Sequence, residues 1–350
     1  MEKTILISIV IPCYNAKDFL PQLISDIKSQ TYPFIETIIV SNGKGQEEQV
    51  VLANKLIEGV VEGKVFHTDL GGVSNARNWG IKESHGEWVC FIDADDRIKP
   101  NHIETFVNAI DEDCDVVEGG FEQININGTP SNVIFPIKEY DLQLNKDGYY
   151  VCKGMEAMDR VGNAPWNKLF KRSFLIKNHL KFDERFTMNE DRIFALSAFL
   201  CAKKWKFIPM TGYIYKASYG SAMSRYHANV EQSWAAYLDL RDEVKLRSGQ
   251  EKTGIYQERI DMQYYLVWQF IWNMFKPGCP FGFGEKVRKI RKMMGDEKFK
   301  TSCRRHDWSR ESVRYKIFYL YISTDSALLV AFLFASQHYG KQIVNKIKRI

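Results

Sequence analysis

Residues 87–97, E-W-V-C-F-I-D-A-D-D-R, set five apolar, β-rich residues (88–92) directly ahead of three carboxylates, Asp93, Asp95 and Asp96. An apolar run without alternation predicts a strand buried on both faces. A buried strand that ends in acids puts negative charge at the carboxyl edge of a sheet, where open α/β folds hold their ligands. Charges that close repel unless a cation sits among them. A hard divalent ion with oxygen ligands, shared with the phosphates of a nucleotide, is the simplest such cation. The alternative is a strand-to-helix loop in which Asp95 or Asp96 caps the next helix.

Working outward, residues 5–11 read as a first strand that finishes at Pro12, because proline cannot donate to a sheet ladder. A helix follows over 18–29, a strand over 34–40, a helix over 47–58, a strand over 65–67 and a helix over 74–83. Strands alternating with single helices require crossover connections and a mostly parallel sheet, so residues 1–110 form a nucleotide-binding half. Next come a helix from Pro100 to about Asp111, a strand over 115–121, a hairpin within 122–150 and a short helix over 153–161. The loop 181–188 then leads through Asn189-Glu190-Asp191-Arg192 into an apolar helix over 193–200. The expected organisation is an α/β domain over 1–225, its acceptor half at 111–225, and a helical region over 226–350 with a long aromatic helix at 256–275.

The 350 residues are 45% hydrophobic and 26% charged, which is an ordinary globular balance. Seven cysteines, odd in number and without CxxC spacing, read as reduced packing residues of a cytoplasmic protein, not a disulfide frame or a zinc site. The apolar amino-terminal segment carries no small-residue cleavage site and reads as a strand, not a signal peptide. The net charge of +5 hides an asymmetry: residues 285–350 carry 16 Lys and Arg against 6 Asp and Glu, and the remainder 32 against 37. Residues 317–335 approach the length of a membrane span, yet Ser323-Thr324-Asp325-Ser326 falls in the middle. A central Asp costs about 2.5–3.5 kcal/mol there, so two short helices are expected, the second capped by Asp325 or Ser326. The basic clusters, Lys286, Arg288, Lys289, Arg291 and Lys292, then Lys341, Lys346, Lys348 and Arg349, are either solvated helix faces or a surface for anionic lipid headgroups. The second reading gives peripheral contact with the inner membrane face. Nucleic acid is not an expected partner, because no basic recognition motif is present and the rest of the chain is acidic.

Four stretches in order, Ser8-Ile9-Val10-Ile11-Pro12-Cys13-Tyr14-Asn15, Gly72-Val73-Ser74-Asn75-Ala76-Arg77-Asn78-Trp79-Gly80, Phe91-Ile92-Asp93-Ala94-Asp95-Asp96 and Asn189-Glu190-Asp191, resemble the signatures of family 2 glycosyltransferases. The resemblance covers residues 5–225. It implies the GT-A fold, a Rossmann-like, mostly parallel sheet, and inverting transfer of a sugar from a nucleotide-diphosphate donor with Mg2+ or Mn2+ on the diphosphate. By this resemblance Asp93 and Ala94 face the donor's ribose or sugar, Asp95 holds the metal with Asp96 nearby, and Asp191 is the general base. Glu190 and Asp191 also read as first-turn acids on a helix dipole, with Asn189 as cap.

Arg77 would contact the donor's diphosphate or base, or else be a surface ion-pair residue. Pro12, Tyr14 and Asn15 would frame the nucleobase. Trp166 would stack on a sugar with Glu190 beside it, or pack in the core. The loop Ser41-Asn42-Gly43-Lys44 departs from the family's acidic Asp-Asp-Gly-Ser. Asn42 accepts a uracil N3–H through its amide oxygen but also donates, so UDP is the first expectation and GDP and dTDP stay open. No Gln-x-x-Arg-Trp pattern of processive synthases occurs, so one sugar per encounter is expected, passed to a glycan or lipid-linked acceptor of a bacterial surface polysaccharide. Two rival readings are a sugar-nucleotide binding protein without turnover and a sugar-phosphate nucleotidyltransferase. The latter wants a Gly-rich cationic loop where this chain has Pro12-Cys13-Tyr14-Asn15.

Overall fold

The apolar runs of the first hundred residues become one half of a nine-stranded sheet in the computed structural model, which describes residues 4–60, 62–125, 129–134, 164–216, 225–247 and 251–347. Strands β1 (Ile7–Cys13), β2 (Ile35–Asn42), β3 (Gly63–Thr68) and β4 (Trp88–Phe91) run parallel in the order β3-β2-β1-β4. Helices α1 (Leu20–Lys28), α2 (Glu47–Ile57) and α3 (Val73–Glu83) are the crossovers between them. The chain continues through β5 (Arg97–Ile98), α4 (His102–Asn108), β6 (Val116–Ile124), β7 (Pro130–Ile134), β8 (Lys168–Lys171), α5 (Arg172–Lys177), α6 (Glu190–Cys201) and β9 (Trp205–Lys216). β8 lies antiparallel between β4 and β6, and β7 closes a hairpin on β6. The remainder of the expected 122–150 elaboration and the helix expected at 153–161 lie outside the described residues.

β1 is buried along its whole length because helices cover both faces. Ile7, Ile9, Ile11 and Cys13 join Leu20, Leu23, Ile24 and Ile27 of α1, while Val10 joins Phe91, Ile81 of α3 and Phe194 of α6. This two-sided burial is what makes the strand read as continuously apolar. The strand runs one residue past Pro12 where the sequence predicted it to stop. Val10 O accepts from Ile92 N, and Pro12 shares Val10's side of the ladder, so its missing N–H falls just beyond the end of β4 and disrupts nothing. α3 presses onto β1 through Gly80, where a Cβ would fall 2.1 Å from Val10 Cγ1.

The chain forms two units: 1–219 with 236–248, and 220–235 with 249–350. The second holds the start of α7 (Val230–Arg247), then α8 (Lys252–Asp261), α9 (Gln263–Met274), α10 (Phe283–Met294), α11 (Glu297–Arg305), α12 (Val313–Ser323) and α13 (Ala327–Ile347). Its core sets Trp268, Ile271 and Phe275 against Ile290, Phe299, Phe318 and Phe334. The single helix expected over 256–275 is broken at Met262. Ser302 of α11 donates to Asp261 O at 2.9 Å and accepts from Tyr264 N at 3.1 Å, and a side chain inserted into the helical ladder interrupts it. The apolar stretch at 317–335 divides at Thr324–Ser326 as expected, with Asp325 at φ +51° and Leu329 N facing Ser326 Oγ at 3.4 Å. The second helix is long, 21 residues, where a short one was expected. Among the described residues no helix is long and apolar enough to cross a membrane.

Candidate active site

The three acids after β4 have three different surroundings. The chain turns tightly there, Asp96 N donating to Asp93 O at 3.1 Å. Asp93 stays partly exposed and accepts from Arg77 Nη2 at 2.8 Å. Asp95 is half-buried. Asp96 points inward, 2% exposed: Tyr213 Oη donates to its Oδ2 at 2.5 Å and Lys216 N to its Oδ1 at 2.8 Å. Burial, then repulsion from Asp93, holds the Asp96 carboxyl well above the usual range. Asp96, expected beside the metal, thus has both oxygens engaged within the protein. Nor does the loop serve as a helix cap. It passes into β5, and the next helix begins only after Asn101.

Tyr213 of β9 ties down both ends of this turn, because its hydroxyl also accepts from Asp93 N at 3.3 Å. Replacing it by Phe leaves a buried carboxyl and an amide short of partners, each costing about 1–3 kcal/mol. Tyr213→Phe is expected to lower the denaturant midpoint at unchanged m-value; an unchanged midpoint would show that the turn holds without this hydroxyl.

Arg77 is buried, its side chain only 4% exposed, so the surface ion-pair reading fails. Its guanidinium lies 5.1 Å from the centre of the Phe182 ring, which itself stacks on Phe194 of α6 at 3.9 Å. Among the described residues Nε and Nη1 have no hydrogen-bond partner, two buried donors left over in the interior. Burial weakens the charge of Arg77, yet Asp93, Asp191 and Glu190 together raise its pKa. One cation therefore joins the acid at the sheet edge to the acids at the start of α6.

The arrival of Asp191 here, about a hundred residues after Asp93, is arranged by Asn78. Its amide donates to Phe182 O at 2.9 Å and accepts from Phe182 N at 2.8 Å, clamping the loop before α6 onto α3. Asn189 stands at the start of α6 in the left-handed region (φ 65°) and makes no side-chain cap bond, contrary to its expected capping role. Glu190 and Asp191 occupy the first turn, and Asp191 Oδ1 accepts from Arg192 N at 2.9 Å. Burial raises both carboxyls, and Arg77 opposes the rise; with Asp191's charge beside it, Glu190 reaches about 7.

The residues expected to frame the nucleobase lie at the carboxyl ends of β1 and β2. Tyr14 is 54% exposed and lies over Gly43, whose missing Cβ would meet the ring at 2.9 Å. Pro12 and Ala94 are buried beneath. Asn15, at φ 50°, donates its backbone N–H to Gln46 Oε1 and accepts from Gln46 Nε2 at its side-chain oxygen, both at 3.0 Å, just ahead of α2. Asn42 is buried with its amide oxygen unpartnered. Gln49 donates to Cys13 O at 3.0 Å and to Ser41 Oγ at 2.9 Å, fastening the two loops together.

Residues 8–178 match the family model "Glycosyl transferase family 2". That segment is a domain of the family. Among its relatives, the glycosyltransferase GlyG of Streptococcus pneumoniae is 28% identical over 240 residues, covering 66% of this chain and 76% of GlyG. Two solved structures show the shared GT-A fold. TarS of S. aureus, residues 1–349 in complex with UDP-GlcNAc, has a TM-score of 0.56 at 18% identity, covering 96% of this chain and 92% of that one. A mannosyltransferase of Pyrobaculum calidifontis, in complex with GDP-Man and Mn2+, has a TM-score of 0.52 at 11% identity, covering 95% and 88%.

In this glycosyltransferase residues from three of the four stretches thus meet at Arg77, while Trp166 packs behind them. Trp166 is buried, with its ring parallel to those of Tyr213 (4.4 Å) and Tyr215 (5.6 Å), so it packs the core and presents no free face to a sugar. Its neighbour Lys168, fully buried, donates to Ala164 O at 2.7 Å and pairs with Glu118 of β6 at 3.1 Å. Burial lowers the Lys168 pKa; Glu118 and Asp191 oppose this. Glu118 and Tyr213 carry no spacing signal that would single them out. Asn78 did stand inside a quoted motif. His102 is fully buried with neither ring nitrogen bonded, and burial pushes it down to about 3, so it stays a neutral core residue.

Among the described residues no three acidic, histidine or cysteine side chains group closely enough to hold a metal ion by themselves. Asp93 and the half-buried Asp95, with Asp96 behind them, offer hard oxygens in the sparse pattern suited to Mg2+ or Mn2+, ions that draw their remaining ligands from phosphates and water.

Proposed function

We propose that this glycosyltransferase moves one sugar, with inversion, from a UDP-sugar to a glycan or lipid-linked acceptor in the assembly of a bacterial surface polysaccharide. The observation that carries the reading is Arg77, a buried cation bonded to Asp93 and within electrostatic reach of Glu190 and Asp191. Its two N–H donors without a partner among the described residues are free to bind the charge that gathers on a leaving diphosphate. Asp95 holds the Mg2+ or Mn2+ with Asp93 beside it, and Asp96, already bonded to Tyr213, braces the turn. The bound ion would supply charge neutralisation for the diphosphate. Asp191 takes the proton of the acceptor hydroxyl as its oxygen bonds to the anomeric carbon. The bond from that carbon to the diphosphate breaks, and the electron pair leaves with the phosphate. Glu190 lies beside it on the sugar side. Tyr14 stacks on the base, and Asn42's unpartnered amide oxygen receives the uracil N3–H. The UDP-GlcNAc bound by TarS supports a UDP donor, and the GDP-Man and Mn2+ of the mannosyltransferase set the competing donor to test.

The test is a thermal-shift panel of UDP, GDP, dTDP, UDP-GlcNAc and GDP-Man, each with and without Mn2+. A ligand at 100 times its Kd stabilises by about 2.7 kcal/mol, so a shift of several degrees is expected for UDP compounds with Mn2+. Asp95→Asn is expected to abolish the Mn2+-dependent part. No shift with any nucleotide in the presence of Mn2+ would sink the proposal.

A further inference from the structure

The last helix, α13, is apolar on a side that the unit's core does not use. On α13, Ala327, Val330, Ala331 and Phe334 are buried, whereas Leu328 (47% exposed), Leu329 (44%) and Phe332 (55%) project from the opposite side. A helix in contact with water ordinarily keeps its outer face polar. Phe283, at the start of α10, lies 5.2 Å from the ring of Phe332, so the exposed apolar surface continues onto a second helix. That second helix is strongly basic. Its outward Arg288, Arg291 and Lys292 make no ion pair among the described residues, and the stretch 285–350 holds the +10 balance of the sequence.

Exposed apolar side chains on one helix and unpaired cations on the next match one kind of surface, an anionic bilayer. Its headgroups take the charges, and its acyl boundary takes the large side chains. We propose that the exposed Phe283, Leu328, Leu329 and Phe332, together with the outward Arg288, Arg291 and Lys292 of α10, seat the protein on an anionic membrane without crossing it. The charge complementarity argues against a second copy of this chain as occupant, because two such faces would bring like charges together. The inference fits the lipid-linked acceptor proposed above but does not depend on it, since it is read without any substrate.

The test is co-sedimentation of the full chain with vesicles of phosphatidylcholine alone and with vesicles of equal parts phosphatidylcholine and phosphatidylglycerol. Binding is expected only to the anionic vesicles, and it weakens as salt is raised. Arg288→Gln, Arg291→Gln and Lys292→Gln are each expected to weaken it about fivefold, from about 1 kcal/mol per charge near the surface. Leu328→Ser with Phe332→Ser is expected to weaken it at least tenfold, with circular dichroism and the nucleotide thermal shift unchanged. No binding to anionic vesicles would overturn the proposal. So would binding that the apolar pair leaves untouched, or a dimer in light scattering that the apolar substitutions convert to monomer without any vesicle binding.

Discussion

Asp191→Asn is expected to reduce sugar transfer by about 10²–10⁴-fold while leaving nucleotide affinity within about twofold. The substitution keeps the shape of the side chain and removes its ability to take a proton, and general-base catalysis contributes a factor of this size. Donor affinity survives because the groups assigned to the nucleotide lie on the strand ends and α3, not on α6. The pH profile gives the sharper test. Burial raises Asp191 above the ordinary aspartate range, so the acidic limb of kcat/KM should lie above that range, activity falling as the carboxylate is protonated. The same change removes a negative charge that helps hold Glu190 at about 7, so the Glu190 carboxyl should titrate lower in the variant, readable by carboxyl-labelled NMR. A variant that transfers at the normal rate would remove Asp191 from the role of base, and Glu190 titrating unchanged would show that the two carboxyls are not coupled.

Arg77→Met is expected to damage both stability and catalysis, unlike the Asp191 change. Methionine fills much of the volume over Phe182 but leaves Asp93, Glu190 and Asp191 without the cation that binds or faces them. Removing one partner of a buried charge cluster costs about 3–5 kcal/mol. For a unit of this size that lowers Tm by about 10 °C. The loss should depend on pH in a definite direction. Glu190 and Asp191 already have raised pKa values in the folded state, and without Arg77 they rise further. A carboxyl whose folded pKa lies above its unfolded one contributes stability at low pH that is lost as pH rises through the two values. The destabilisation by Arg77→Met should therefore be small in acid and grow toward and above neutrality, and the acidic limb of any residual activity should move to higher pH. A destabilisation independent of pH would mean that Arg77 acts only through packing.

The sheet was legible because its strands obey a simple rule. Covered on both faces, they are apolar without interruption, and the helices between them are punctuated by Pro12, Gly72 and Pro100. The edges shifted, as at Pro12, whose missing donor is harmless because β4 ends opposite Val10, two residues earlier. The carboxylates were legible as a group but not as individuals. Asp93, Asp95 and Asp96 are equivalent in sequence, and their division into an ion-paired, a half-buried and an inward-facing acid depends on Arg77 from α3 and Tyr213 from β9. Trp166 reads equally well as a sugar platform or as core, until Tyr213 and Tyr215 are seen lying parallel to it. The break between α8 and α9 depends on a serine forty residues away in sequence that donates to one helix end and accepts from the next.

By itself, the sequence determined the alternation of strand and helix, the acidic lip at the sheet edge, the family signatures and the charge imbalance of the last helices. Each of these is written in neighbouring residues or in totals. The tertiary structure alone decided which acid meets which cation, how far each carboxyl is held from its ordinary pKa, and which side of α13 stays uncovered. Those depend on burial and on charges brought together from distant positions, and a Coulomb interaction is set by separation in space and local dielectric, not by spacing along the chain.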